Sequence, residues 1–159
     1  MRRIGTIGMA VILGLALLAT AALAAEEMTA SNMQIVRDKV QADKKLLIAE
    51  NMNLTEKEAK AFWPVYADYQ KEIMALNDRS IKFIQTYAES FDKMKDDTAK
   101  KLVGDYLVIE SDRLKLRESY VPKFAKVLPY TKVMRYYQLE NKISAVISFD
   151  IASKIPLVK

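Results

Sequence analysis

Between residues 32 and 152 the apolar positions recur in alternating steps of three and four. That spacing puts side chains on one face of an α-helix. Met33, Val36, Val40 and Leu47 repeat in this way, with Asp38, Lys39, Asp43 and Lys44 on the other side, which predicts a helix over 32–50. The run Asn51-Met52-Asn53 then predicts a short polar turn. A longer stripe follows in Ala59, Phe62, Trp63, Tyr66, Tyr69, Ile73, Leu76, Phe83, Tyr87 and Phe91, predicting a helix over 56–92. Ala99, Leu102, Val103, Tyr106, Ile109, Leu116, Tyr120 and Phe124 predict a third over 97–127, capped by Asp96 or Asp97. Val133, Tyr137, Ile143, Val146 and Ile147 predict a fourth over 129–152, and the tail after Pro156 reads as extended.

Two helix starts carry specific signals. Thr55 fits an N-cap whose hydroxyl accepts from the N–H of Glu58, while the Glu58 carboxylate reaches back to the N–H of Thr55. Leu54 stands before the cap, where it can pack on Ala59. Leu128-Pro129 marks the other start, because proline is favoured in a first helical turn. Pro64 falls inside the second stripe. It removes the bond to the Lys60 carbonyl, so a kink is expected there, not a stop, since the periodicity continues beyond it. Pro122 should bend the third helix near its end.

Composition narrows the fold class. The chain has four glycines, and Gly5, Gly8 and Gly14 lie near its start, leaving Gly104 alone in the remainder. Hairpin-rich sheets need more. The expected fold is all-α, with four long, kinked helices in an antiparallel hairpin or bundle. Arg2 and Arg3, the uncharged run 4–23 and Ala22-Leu23-Ala24 have the layout of a signal peptide over 1–25. An uncleaved membrane anchor is the competing reading, because the run is nearly long enough to span a bilayer. Cleavage would leave 26–159 as one helical domain with no stable membrane insertion, 23 basic and 20 acidic residues and a net charge of +3. That charge is too mild for a typical nucleic-acid binder. Export from the cytoplasm is expected.

With neither His nor Cys, the chain has no Ser-His-Asp triad, no thiol chemistry and none of the common zinc sites built on those residues. It has no glycine-rich phosphate loop. Asp105, Glu110 and Asp112 lie within two turns, but a glycoside hydrolase needs a pair held across a cleft. These three read as solvated helix charges. The segment 92–97 lacks the glycine and closing Glu of an EF-hand. No catalytic residue, cofactor or metal site is expected, and neither is enzymatic activity.

What remains is binding. Arg113, Lys115, Arg117, Lys123, Lys126, Lys132, Arg135 and Lys142 make the C-terminal half locally basic, opposed by Glu118 and Glu140. Such a run is either a solvated face or a patch that steers acidic partners, weakened by salt. Tyr136 and Tyr137 cannot both face one core, so one of them belongs to a surface. Trp63, Tyr66, Arg113, Arg117, Lys123, Lys126, Arg135 and Tyr136 are the candidate client-binding residues.

The helix start Leu54-Thr55-Glu56-Lys57-Glu58, in a small exported chain without His, resembles the Leu-Thr-x-x-Gln signature of the Spy/CpxP family of periplasmic stress proteins. Glu58 stands in the Gln place, and Leu128 alone agrees at a possible second copy. The resemblance implies curved homodimers of long helices that act without ATP as chaperones, or as brakes on envelope-stress sensor kinases. It implies the periplasm as the compartment and, as partners, unfolded or partly folded envelope proteins, or the periplasmic domain of a sensor kinase. A structural helical bundle without clients is the third reading.

Overall fold

The computed structural model describes the backbone of residues 30–158 and the side chains from Asp38 onward. The expected leader, 1–25, lies outside the described residues, as do the side chains of Met33 and Val36. Four α-helices follow one another: α1 (Ala30–Met52), α2 (Glu56–Ser90), α3 (Asp96–Ala125) and α4 (Tyr130–Lys154), with a 3-10 turn at Phe91–Lys93. No strand occurs among the described residues. The all-α reading holds, and the helix bounds fall within a few residues of those expected. Among the described residues no helix is long and apolar enough to cross a membrane.

The described chain divides into two compact units. One is Leu54–Val133; the other joins 30–53 to Met134–Leu157. In the first, α2 and α3 form an antiparallel hairpin. Thr55 caps α2 as expected, accepting from the Glu58 N–H at 3.3 Å while Glu58 Oε2 accepts from the Thr55 N–H at 2.8 Å. The helix then runs through Pro64 without a break for 35 residues, about 52 Å at 1.5 Å per residue. Phe62, Tyr66, Tyr69, Ile73 and Leu76 are buried on its inner face, the stripe that periodicity marks out. From α3 they meet Leu102, Ile109, Tyr120 and Phe124. Phe124 lies 5.6 Å from Phe62 and 5.9 Å from Tyr69 between ring centroids, and Tyr69 lies 5.1 Å from Tyr120. This aromatic cluster is the core of the hairpin.

Three local expectations are corrected. Asp96 and Asp97 do not cap α3: Lys95 holds the N-cap position with no side-chain bond, and the two aspartates occupy the first turn. There their charges oppose the positive end of the helix dipole. Asn51 and Met52 do not form a turn but the last residues of α1, where Met52 is fully buried. Asn53, at φ 48°, ends the helix in the left-handed region that Asn adopts more readily than most residues. Val103 and Tyr106, expected in the core, are about half exposed.

The second unit has a different interior. Ile48, Met52 and Tyr136 are fully buried and Glu140 is 6 % exposed. Lys44 Nζ meets Glu140 Oε2 at 2.8 Å, and the Tyr136 hydroxyl donates to Glu140 Oε1 at 3.0 Å. Arg135 donates from Nε to the carbonyl of Asn51, placing a cation on one of the carbonyls that α1 leaves unbonded at its C-terminus. The tail 156–158 carries no regular structure.

Candidate binding surface

The helix-start residues come together in space. Glu58, already bonded to Thr55, also pairs with Lys132 Nζ in the first turn of α4. That turn begins at Pro129, whose carbonyl accepts from Lys132 N and Val133 N at 2.9 and 3.0 Å. Leu128 and Val133 are buried beside it. So Leu54-Thr55-Glu58 and Leu128-Pro129 are joined by one ion pair, a link that no local pattern announces. Lys132 and then the Thr55 N–H hold the Glu58 carboxyl below its ordinary value.

The candidate client-binding residues fall in both units, and some of them are not at a surface at all. Tyr66 and Tyr136, expected to be exposed, are buried at 5 % and 0 %. Tyr66 belongs to the apolar face of α2, and Tyr136 satisfies its hydroxyl on Glu140 inside the second unit, leaving Tyr137 half-buried. Trp63 is half-buried, edge-on to Phe62 at 5.1 Å and to Tyr66 at 5.3 Å. Arg113 donates to Asn77 Oδ1 at 3.0 Å and to Ser80 Oγ at 3.1 Å, bracing the hairpin. Lys123 Nζ sits 3.7 Å from the centre of the Tyr120 ring, a cation–π contact. Arg135 is bound to the Asn51 carbonyl, Arg117 is half-buried, and Lys126 is exposed. Much of the basic run thus serves internal contacts.

The three carboxylates near the middle of α3 are each matched with a cation. Asp105 pairs with Lys101 at 2.8 Å, Glu110 with Arg113 at 3.5 Å and Asp112 with Arg79 at 2.8 Å. Arg79 holds the Asp112 carboxyl below its ordinary range, with Lys115 adding to the effect. Tyr120 donates to Glu72 Oε1 at 2.6 Å, and burial followed by that carboxylate pushes its phenol well up. Among the described residues no cluster of three metal-ligating side chains occurs. A shallow groove of about 220 Å³ on the hairpin is floored by Phe83, Leu102 and Ile109 and rimmed by Arg79, Lys82 and Lys101. Two of those rim cations are the ones engaged with Asp112 and Asp105.

Sequence reasoning missed the exposed apolar positions. On α3, Val103, Leu107, Val108 and Leu114 are each more than half exposed; on α4, Met134 and Phe149 are too, and Val146 nearly so. The signal was present, because 103, 107 and 114 share one face of α3 that is distinct from the 102–109–120 face. The periodicity predicts one stripe on α3, which carries two. Comparison of the chain with protein-family models, with curated proteins and with solved structures returned no match in any of the three.

Proposed function

We propose that this is a non-enzymatic, ATP-independent binding protein of the cell envelope, chaperone-like, which holds unfolded or partly folded envelope proteins in the manner of the Spy/CpxP family it resembles. The observation that carries the proposal is the last part of α4, where Phe149 is 77 % exposed and Val146 46 % exposed, with the exposed Lys142 one turn away. Large apolar side chains held in water beside a cation suit a partner that offers apolar and acidic groups together. The bend expected at Pro64 belongs to the same reading, as part of a cradle. Export and cleavage of the leader belong to it as well.

The test is suppression of aggregation by the purified protein, without ATP, on two unrelated unfolding clients. Suppression of both near stoichiometric ratio is expected, weakened by Phe149→Ser and only shallowly dependent on salt, because Arg113, Lys132 and Arg135 are engaged within the chain. Suppression of neither client would overturn this reading in favour of docking on the periplasmic domain of a sensor kinase.

A further inference from the structure

One flank of the α2–α3 hairpin carries a furrow. The groove floored by Phe83, Leu102 and Ile109 is walled on the α3 side by Val108, which is 52 % exposed. A second hollow, of about 310 Å³, is floored by Leu76 and Leu116. Arg79 lines both and reaches Asp112 on α3 at 2.8 Å, so the two adjoin at that ion pair. The polar ends of the furrow differ. At one end Lys82 is exposed, and its ammonium meets no carboxylate among the described residues. Lys101 beside it is matched to Asp105, and Asp112 is shared by Arg79 and Lys115. Lys82 is therefore the cation left over. At the other end Glu72 accepts from the Tyr120 hydroxyl at 2.6 Å and meets no cation among the described residues. The two ends lie about 15 Å apart along α2.

We propose that this furrow binds a free fatty acid, a single unbranched alkyl chain ending in a carboxylate. The chain lies along Phe83, Ile109 and Leu116, and apolar surface of both partners leaves water. Its carboxylate sits at Lys82, whose stem follows the apolar wall while the ammonium stays in water. Charge sets the direction, because a carboxylate at the opposite end would face Glu72. The floor also selects the class of ligand. Both walls are helices whose backbone groups are already bonded, so an extended peptide would bring N–H and C=O groups that find no partner there. An alkyl chain brings none. Hollows of about 220 and 310 Å³ in line take one chain end to end; the paired chains of a membrane lipid need a wider one.

Titration of the purified protein with dodecanoate, kept below micelle formation, tests this by calorimetry and by the methyl resonances of Val108, Ile109 and Leu116. Saturation below about 1 mM is expected, with helical circular dichroism unchanged. Octanoate should bind about tenfold more weakly or worse, because each methylene that leaves water contributes up to about fourfold. Lys82→Glu should weaken dodecanoate binding by about tenfold, and Val108→Ser by about threefold. Both positions are exposed, so the helices should be retained. A dodecanoate carrying a nitroxide at its methyl end should broaden Leu116 more than Val108. Vesicles of phosphatidylglycerol should leave all three residues unshifted. No saturation by about 1 mM, an affinity indifferent to Lys82→Glu, or broadening strongest at Val108 would overturn the proposal. So would shifts at these residues from vesicles alone, which would assign the furrow to a membrane surface. The site does not depend on client binding. Phe149→Ser should weaken aggregation suppression and leave the dodecanoate titration unchanged; loss of that titration would move the amphiphile to α4.

Discussion

The two units contain the same ion pair in opposite surroundings. In the unit joining 30–53 to Met134–Leu157, Lys44 and Glu140 meet with side chains 15 % and 7 % exposed, and Tyr136 bonds the second carboxylate oxygen. In Leu54–Val133, Lys132 meets Glu58 with side chains 24 % and 20 % exposed, above a core of Phe62, Tyr69, Tyr120 and Phe124. The first pair is itself part of an interior. A buried charge depends on its partner, because water is not there to replace it. The second pair decorates an interior already built from rings, and solvent and the Thr55 N–H share its carboxylate. Identical residue types thus carry different shares of stability.

The aromatic unit should show the largest single effect. Phe124 is fully buried with three rings within about 6 Å, so Phe124→Ala should cost about 3–5 kcal/mol. Urea unfolding followed by the fluorescence of Trp63, the only tryptophan and an edge-on neighbour of Phe62, reads that loss directly. A cost below about 1 kcal/mol would remove the cluster from its place as the core. The charged interior should come next. Glu140→Ala removes the carboxylate that meets Lys44 and accepts from the Tyr136 hydroxyl and should cost about 3 kcal/mol. Lys44→Met combined with Glu140→Leu should recover most of this, as apolar replacements of buried pairs often do. A double variant as unstable as the single one would mean that the pair acts through something other than mutual compensation.

This contrast also explains what could be read in advance. The stripe of α2 was legible because its buried face is unbroken, from Phe62 to Leu76, and the capping box was legible because all its atoms lie within four residues of the sequence. The interior of the other unit was not. Glu140 and Lys44 have the polarity of surface residues, and a bond between positions 96 residues apart leaves no periodic trace. Tyr136 reads as the outward member of its pair because Tyr137 falls in the α4 stripe, and the glutamate that accepts from its buried hydroxyl leaves no trace in periodicity. The basic run looked like a patch because charge can be counted along the chain, whereas the acceptors of Arg113 and Arg135 come from α2 and from the end of α1. On α3 the core stripe and the exposed apolar positions lie side by side, so one period fits both, and Val103 and Tyr106 read as inward.

The smallest expected effects lie at the half-buried Lys132–Glu58 pair, where they isolate the cap from the charge. Thr55→Ala removes the acceptor for the Glu58 N–H and should cost about 1 kcal/mol. Glu58→Gln keeps a side chain able to complete the box but discards the charge that Lys132 meets. In the folded protein Lys132 first, and the Thr55 N–H second, hold the Glu58 carboxyl below its ordinary value near 4.5. A depressed folded value makes the ionised group stabilising above the unfolded value, and that contribution disappears as pH falls through the folded one. Urea midpoints of the unsubstituted protein and of Glu58→Gln should therefore differ near neutral pH and converge as the medium becomes more acid than the ordinary carboxylate range. Lys44 with Glu140 gives the internal comparison, since its removal should be felt far more strongly at neutral pH. If the two curves separated further in acid, the ionised Glu58 carboxylate would not be the stabilising form, and the ion pair would lose its place as the link between the starts of α2 and α4.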